Sequence, residues 1–150
     1  MSESKSATPA KSARHRAREL AMQGIYEWRV SGTSVALIAK GTSDEKSLGR
    51  YDHEFFNKLL NGAIAQQEEL SAQFAPLLDR AVKELSPVEF SVLLLGAYEL
   101  TQHPEVPYRV VINEAVELAK TFGGSDGHKF VNGVLDKLAA KVRADEVNAK

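Results

Sequence analysis

Five basic residues, Lys5, Lys11, Arg14, Arg16 and Arg18, fall in the first eighteen positions against one acid, Glu3. The rest of the chain carries fourteen basic and nineteen acidic residues, so a net charge of -1 conceals a positive arm on an acidic body. Clustered Lys and Arg displace condensed counterions from phosphates where scattered charges do so poorly, and the asymmetry therefore points to nucleic acid. A solubilising tail is the plain alternative. Arg14 and Arg18 are four apart and His15 and Arg18 three apart, so a helix beginning near Ala13 lines them along one edge, with Arg16 a little round the cylinder. That edge reads as a phosphate-facing surface. Further along, Trp28 fits the apolar face and reads as core, while Tyr26 reads as a partly exposed ring on which a base can stack.

A second group lies near the other end. In "FGGSDGHKFVNGVLDKL", Phe122 to Leu138, small and polar residues precede a helix whose first turn sets Lys129 beside Phe130, where free N–H groups attract anions. Single-stranded RNA calls for this mixture of positive charge, stacking ring and exposed donors. Phe130 also opens an apolar column with Val134 and Leu138, which leaves a core role open. The Gly of Asn132-Gly133 costs about 1 kcal/mol of helix propensity relative to Ala, and close approach of a neighbouring helix is the expected offset. Asn132 could bridge that contact or read a base edge.

Other chemistry is missing its partners. "GGSDG" matches the GxSxG pattern, yet a nucleophile elbow needs a strand before it and here a helix precedes, so Ser125 reads as a helix N-cap. His53-Glu54 begins like HExxH, but position 57 is Asn. The four histidines sit in separate segments, and there is no cysteine, no GxxxxGK[ST] and no GxGxxG. Glu114 and Glu117 read as solvated or paired with Lys120 or Arg109. No catalytic, metal or cofactor site is expected. Zero cysteines and the lack of a long apolar run, the longest being Val92 to Tyr98, suggest a cytoplasmic protein.

The elements that must hold these groups are helices. Residues 1–12 read as a flexible basic lead, residues 13–143 as a single all-helical domain and residues 144–150 as a short polar tail. A first helix runs from about Ala13 until Ser31-Gly32 stops it. "SVALIAKG" is a short apolar piece, followed by a polar loop over residues 42–50. The long helical pattern from Tyr51 to Leu85 is expected to break around Ser71 to Pro76. Ser86 as N-cap, Pro87 at the first position and Glu89 three after the cap form a capping box opening an apolar, central helix. Helices with Pro107 near the start and Gly123 at the stop, and from about Asp126 to Val142, complete an all-α architecture without a sheet.

"RHRARELAMQGIYEW", "SPVEFSVLLLGAYEL" and "VPYRVVINEAVELAKTFGGSDGHKFVNGVLDKL" together resemble the NusB family of bacterial transcription antitermination factors. The resemblance implies an all-α bundle of about seven helices in two small subdomains. It also implies a non-enzymatic RNA-binding adaptor that joins the ribosomal protein NusE on the boxA element of ribosomal RNA leaders, within an RNA polymerase antitermination complex of several Nus factors. By matching positions, the implied RNA-binding residues are Arg14, His15, Arg16, Arg18, Asp126, Lys129 and Phe130, joined by Tyr26 from the reading above. Glu89 is carried over as a partner contact. His15 stands where many members carry Arg, and Leu94 where relatives often have Arg. A fold of this kind also serves as an accessory domain of RNA-modifying methyltransferases, but without a Gly-rich cofactor segment this chain could not itself transfer a methyl group. A pure protein-interaction module is the reading from another class.

Overall fold

The computed structural model describes residues 12–149. The flexible lead expected over residues 1–12 thus lies outside the described residues except for Ser12. Ser12 is the N-cap of α1 (Ala13–Ser31), its side chain accepting from the His15 N–H at 2.9 Å. Gly32, in the left-handed region at φ 71°, ends that helix. Helix α2 (Val35–Asp44) runs past Gly41, where the sequence suggested a loop, and a 3-10 turn at Lys46–Leu48 follows. Ser34 caps α2 through its hydroxyl, a signal as ordinary as Ser12's.

The long pattern after Tyr51 breaks twice. Helix α3 (His53–Ala65) ends at Gln66, and α4 (Gln67–Phe74) passes into a 3-10 turn at Ala75–Leu77 containing Pro76. The second break is the expected one; the first carries no Pro or Gly to announce it. A further 3-10 turn at Val82–Glu84 leads to α5 (Pro87–Gln102), whose capping box forms as expected. The Glu89 N–H donates to the Ser86 hydroxyl at 3.0 Å, and the Ser86 N–H donates to the Glu89 carboxylate at 3.1 Å. Every residue from Phe90 to Leu100 is buried, which makes α5 the axis of the bundle. Helices α1, α6 (Tyr108–Phe122) and α7 (Gly127–Val142) all pack on it.

The N-terminal helices α1 to α3 pack together and α4 to α7 surround α5, yet the buried apolar residues of both groups form one continuous core. Trp28, expected inside, is half-buried and lies against that core. Close approach of α7 to α5 occurs at Gly96, where a Cβ would sit 2.8 Å from Leu135 Cδ1. Gly133, expected to serve that purpose, does not: apart from its chain neighbours and the backbone of its own helix, no heavy atom lies within 4 Å of where its Cβ would be.

The expected polar tail holds α8 (Ala144–Asn148), which secures two other helix ends. Arg143, just before it, is buried and donates to the carbonyls of Leu100 at 2.7 Å, His103 at 3.0 Å and Val106 at 3.1 Å, satisfying the end of α5 and the turn beyond it. Glu146 accepts from the Tyr108 N–H at 2.8 Å at the start of α6. That hydrogen bond, opposed by partial desolvation and assisted by Arg143, holds the Glu146 carboxyl below the usual carboxylate range.

Candidate nucleic-acid interface

The basic residues opening α1 are mostly engaged inside the protein. Arg18 is the clearest correction: its side chain is 5% exposed and makes a bidentate pair with Glu99 of α5, Nε to Oε1 at 2.7 Å and Nη2 to Oε2 at 2.9 Å. Burial works against its charge, but the Glu99 hydrogen bonds and charge outweigh it, and the Arg18 pKa is raised further above its ordinary range. Arg18 shares a column with Met22 and Ile25, four and seven residues on, both buried. Arg14, one turn earlier in the same column, stays open because it stands in the first turn of the helix, so no exposed edge joins the two.

His15 and Arg16 are half-buried. His15 Nδ1 lies 2.7 Å from Glu114 and Nε2 3.5 Å from Glu19, while Arg16 reaches Glu19 at 3.0 Å and the Leu48 carbonyl at 3.2 Å. Glu114, expected to be solvated or paired along its own helix, instead faces α1, within 3.7 Å of Arg18 as well; Glu117 keeps its expected partner, Lys120, at 3.7 Å. Arg14 alone of the four keeps a largely open side chain, 47% exposed, with its guanidinium 4.0 Å from the centroid of Phe55 and 3.7 Å from Asp52.

At the start of α7 the arrangement is the reverse. Lys129 is 74% exposed and, among the described residues, its one ion-pair partner within 4 Å is the exposed Asp126, at 3.7 Å. Phe130 is half-buried at the edge of the core, and its ring carries the guanidinium of Arg80 at 4.3 Å. Arg80 is itself paired with Asp79 at 2.7 Å, and this hydrogen bond raises the arginine's pKa and lowers that of the aspartate. No side chain caps α7: Asp126 occupies the N-cap position, and the Ser125 cap expected from the sequence does not form. Glu89 lies beside this helix start, its second carboxylate oxygen 3.8 Å from where a Cβ on Gly127 would be. Its first oxygen accepts from the Ser86 N–H in the capping box.

Tyr26 belongs to this second side. It is 39% exposed and borders a depression of about 270 Å³ shared with Met22, Val88 and Phe122. Val88 in turn lies 3.5 Å from the Cβ position of Gly123, so ring and turn meet across the first turn of α5. Arg14, twelve residues before Tyr26 on the same helix, is about 18 Å away along the axis. Sequence reasoning missed Arg80, and nothing local marks it, since fifty residues separate it from Phe130. Arg29, stacked at 3.8 Å over Phe90, was likewise not singled out. Among the described residues no group of three or more His, Asp or Glu side chains is placed to hold a metal ion, and no helix is long and apolar enough to cross a membrane.

The NusB family model matches residues 15–140. The chain belongs to the NusB family. The transcription antitermination protein NusB of Nitrosospira multiformis is 58% identical over 133 residues, covering 89% of this chain and 84% of that relative. The protein of the same description from Paraburkholderia phymatum is 57% identical over 139 residues, covering 93% and 96%. Among solved structures, T. maritima NusB superposes with a TM-score of 0.78 over 93% of this chain and all of its own, at 24% identity, and so shares the fold. A complex of the antitermination factors NusB and NusE with dsRNA contains a chain 29% identical, with a TM-score of 0.75, covering 83% of this chain and 93% of that one. The expected all-α NusB fold is met, with eight α-helices and no strand among the described residues.

Proposed function

We propose that this protein is a non-enzymatic RNA-binding antitermination factor. It pairs with the ribosomal protein NusE, binds boxA RNA in ribosomal RNA leaders, and helps RNA polymerase with other Nus factors to read through terminators in the cytoplasm. The observation that carries the reading is the cluster at the start of α7, where exposed Lys129, the Arg80 guanidinium and the Phe130 ring adjoin a helix end that no side chain caps. Arg14 and Tyr26 extend the surface along α1, Asp126 stands beside Lys129 on the RNA side, and the outer oxygen of Glu89 supplies the acid that a basic protein partner would meet. His15 and Arg16 contribute only through their solvent edges, and Arg18 through holding α1 in place. The names of the relatives and the NusB–NusE–dsRNA assembly support the same reading.

The test is fluorescence anisotropy of a labelled boxA-type RNA, single-stranded and as a duplex, against a scrambled RNA of equal composition, with and without NusE. Selective single-strand binding that tightens with NusE is expected, and by linkage NusE affinity rises by the same factor when RNA is present. Equal binding to all RNAs, unaffected by NusE, would contradict it.

A further inference from the structure

Beside the cluster runs a groove of about 360 Å³ between the segment 76–79 and α7, with Leu77, Leu78 and Phe130 as apolar walls, Lys129 and Lys137 at its rim, and Gly133 in its lining. From this we infer that the groove takes one unstacked base of the bound RNA, with Arg80 as a stacking plane and Lys137 as a phosphate contact; the inference rests on the RNA-binding reading above.

Four features of the groove point to this occupant. Gly133 sits in mid-helix with open space where its Cβ would be, so packing does not explain it, and its bare Cα leaves depth that any side chain would fill. The volume is at the small end for ligand sites, suited to a single ring system rather than a longer stack. Of the charged residues lining it, two are lysines and the one acid, Asp79, is neutralised by Arg80. Arg80 is not itself in the lining but follows Asp79, which is, and its guanidinium lies 4.3 Å over the Phe130 ring of the groove wall, setting at the edge a flat cation of the kind on which bases stack in RNA-binding sites. Apolar walls with a cationic rim suit a flat ring joined to a phosphate. The groove also continues directly from Lys129 and Phe130, so a strand held there reaches it without a gap.

The experiment uses the full chain with NusE and a boxA-type RNA in which each nucleotide in turn is made abasic. For the wild-type protein, one position is expected to lose about tenfold in affinity through lost stacking. Gly133→Leu, which suits a helix better than Gly, should melt no lower than wild type, lose a similar factor on intact RNA, and be indifferent to that one abasic position while remaining sensitive to others. Should that variant misfold, Arg80→Lys serves: charge is kept and the plane lost, so the same position should go silent with an unchanged salt slope. Intact-RNA affinity unchanged in the folded variant, or weakened NusE binding with RNA binding intact, would overturn the inference and give the groove to a protein. If even the wild-type protein fails to bind boxA RNA, the RNA reading itself falls, a result distinct from either.

Discussion

The two ends of the chain carry similar chemistry and use it oppositely. At the start of α1, four basic side chains meet Glu19, Asp52, Glu99 and Glu114, drawn from three other helix regions and from α1 itself, and their charge goes largely into holding α1 against α3, α5 and α6. At the start of α7, Lys129 and Arg80 pair, among the described residues, with the exposed acids Asp126 and Asp79, Arg80 lies over a ring, and both remain at the surface. Charge density along a sequence is thus a poor measure of charge offered to a ligand. What decides is whether the fold brings a carboxylate from a packed neighbour to each cation.

The comparison can be broken most decisively at Arg18. Arg18→Ala leaves Glu99 buried and unpaired, and should lower unfolding free energy by about 3–5 kcal/mol in urea melts, with RNA affinity of the folded fraction little changed. If stability held and RNA binding vanished, the α1 edge would be a ligand surface after all. Arg143→Ala should follow, at about 1–3 kcal/mol, because the carbonyls around the end of α5 lose a donor they share. Lys129→Ala should do the opposite: stability within about 0.5 kcal/mol, and a slope of log affinity against log salt shallower by about 0.7 for one lost phosphate contact. Arg14→Ala, exposed but held to Phe55, should show a smaller share of each effect.

The smallest expected effect is a pH signature. Because the folded-state carboxyl of Glu146 is depressed, its contribution is present above the unfolded carboxylate pKa and is lost as pH falls through the folded value. Melting curves of Glu146→Gln and wild type should therefore differ at neutral pH and converge in acid. A constant difference across pH would mean that the hydrogen bond to Tyr108, not the charge, is what matters.

Much of the fold was legible. Caps at Ser86, Pro87 and Glu89, the stop at Gly32 and the unbroken apolar run of α5 are local signals, and each formed as read. The break at Gln66 was not legible because no residue there opposes a helix, and α8 was missed because so short a helix is held by distant partners rather than by its own pattern. In the candidate site, Lys129 and Tyr26 are exposed as their positions suggested, whereas for Phe130 the pattern left a core role open and the fold sets the ring half-buried at the core's edge. Arg18 could have been placed too: its spacing to Met22 and Ile25 sets it on the inward face, and Glu99 within the apolar α5 needs a cation. Arg80 and the open space at Gly133 depend on how the 76–80 segment lies along α7, which no local pattern encodes.

The most direct test of the central claim is an amide NMR map of the full-length protein titrated with boxA-type RNA. Shifts concentrated at residues 126–134, at Asp79 and Arg80 and around Tyr26, with the amides beside Arg18 and Glu99 unmoved, are the predicted result. A footprint centred on the first turns of α1 that leaves the start of α7 untouched would contradict the account.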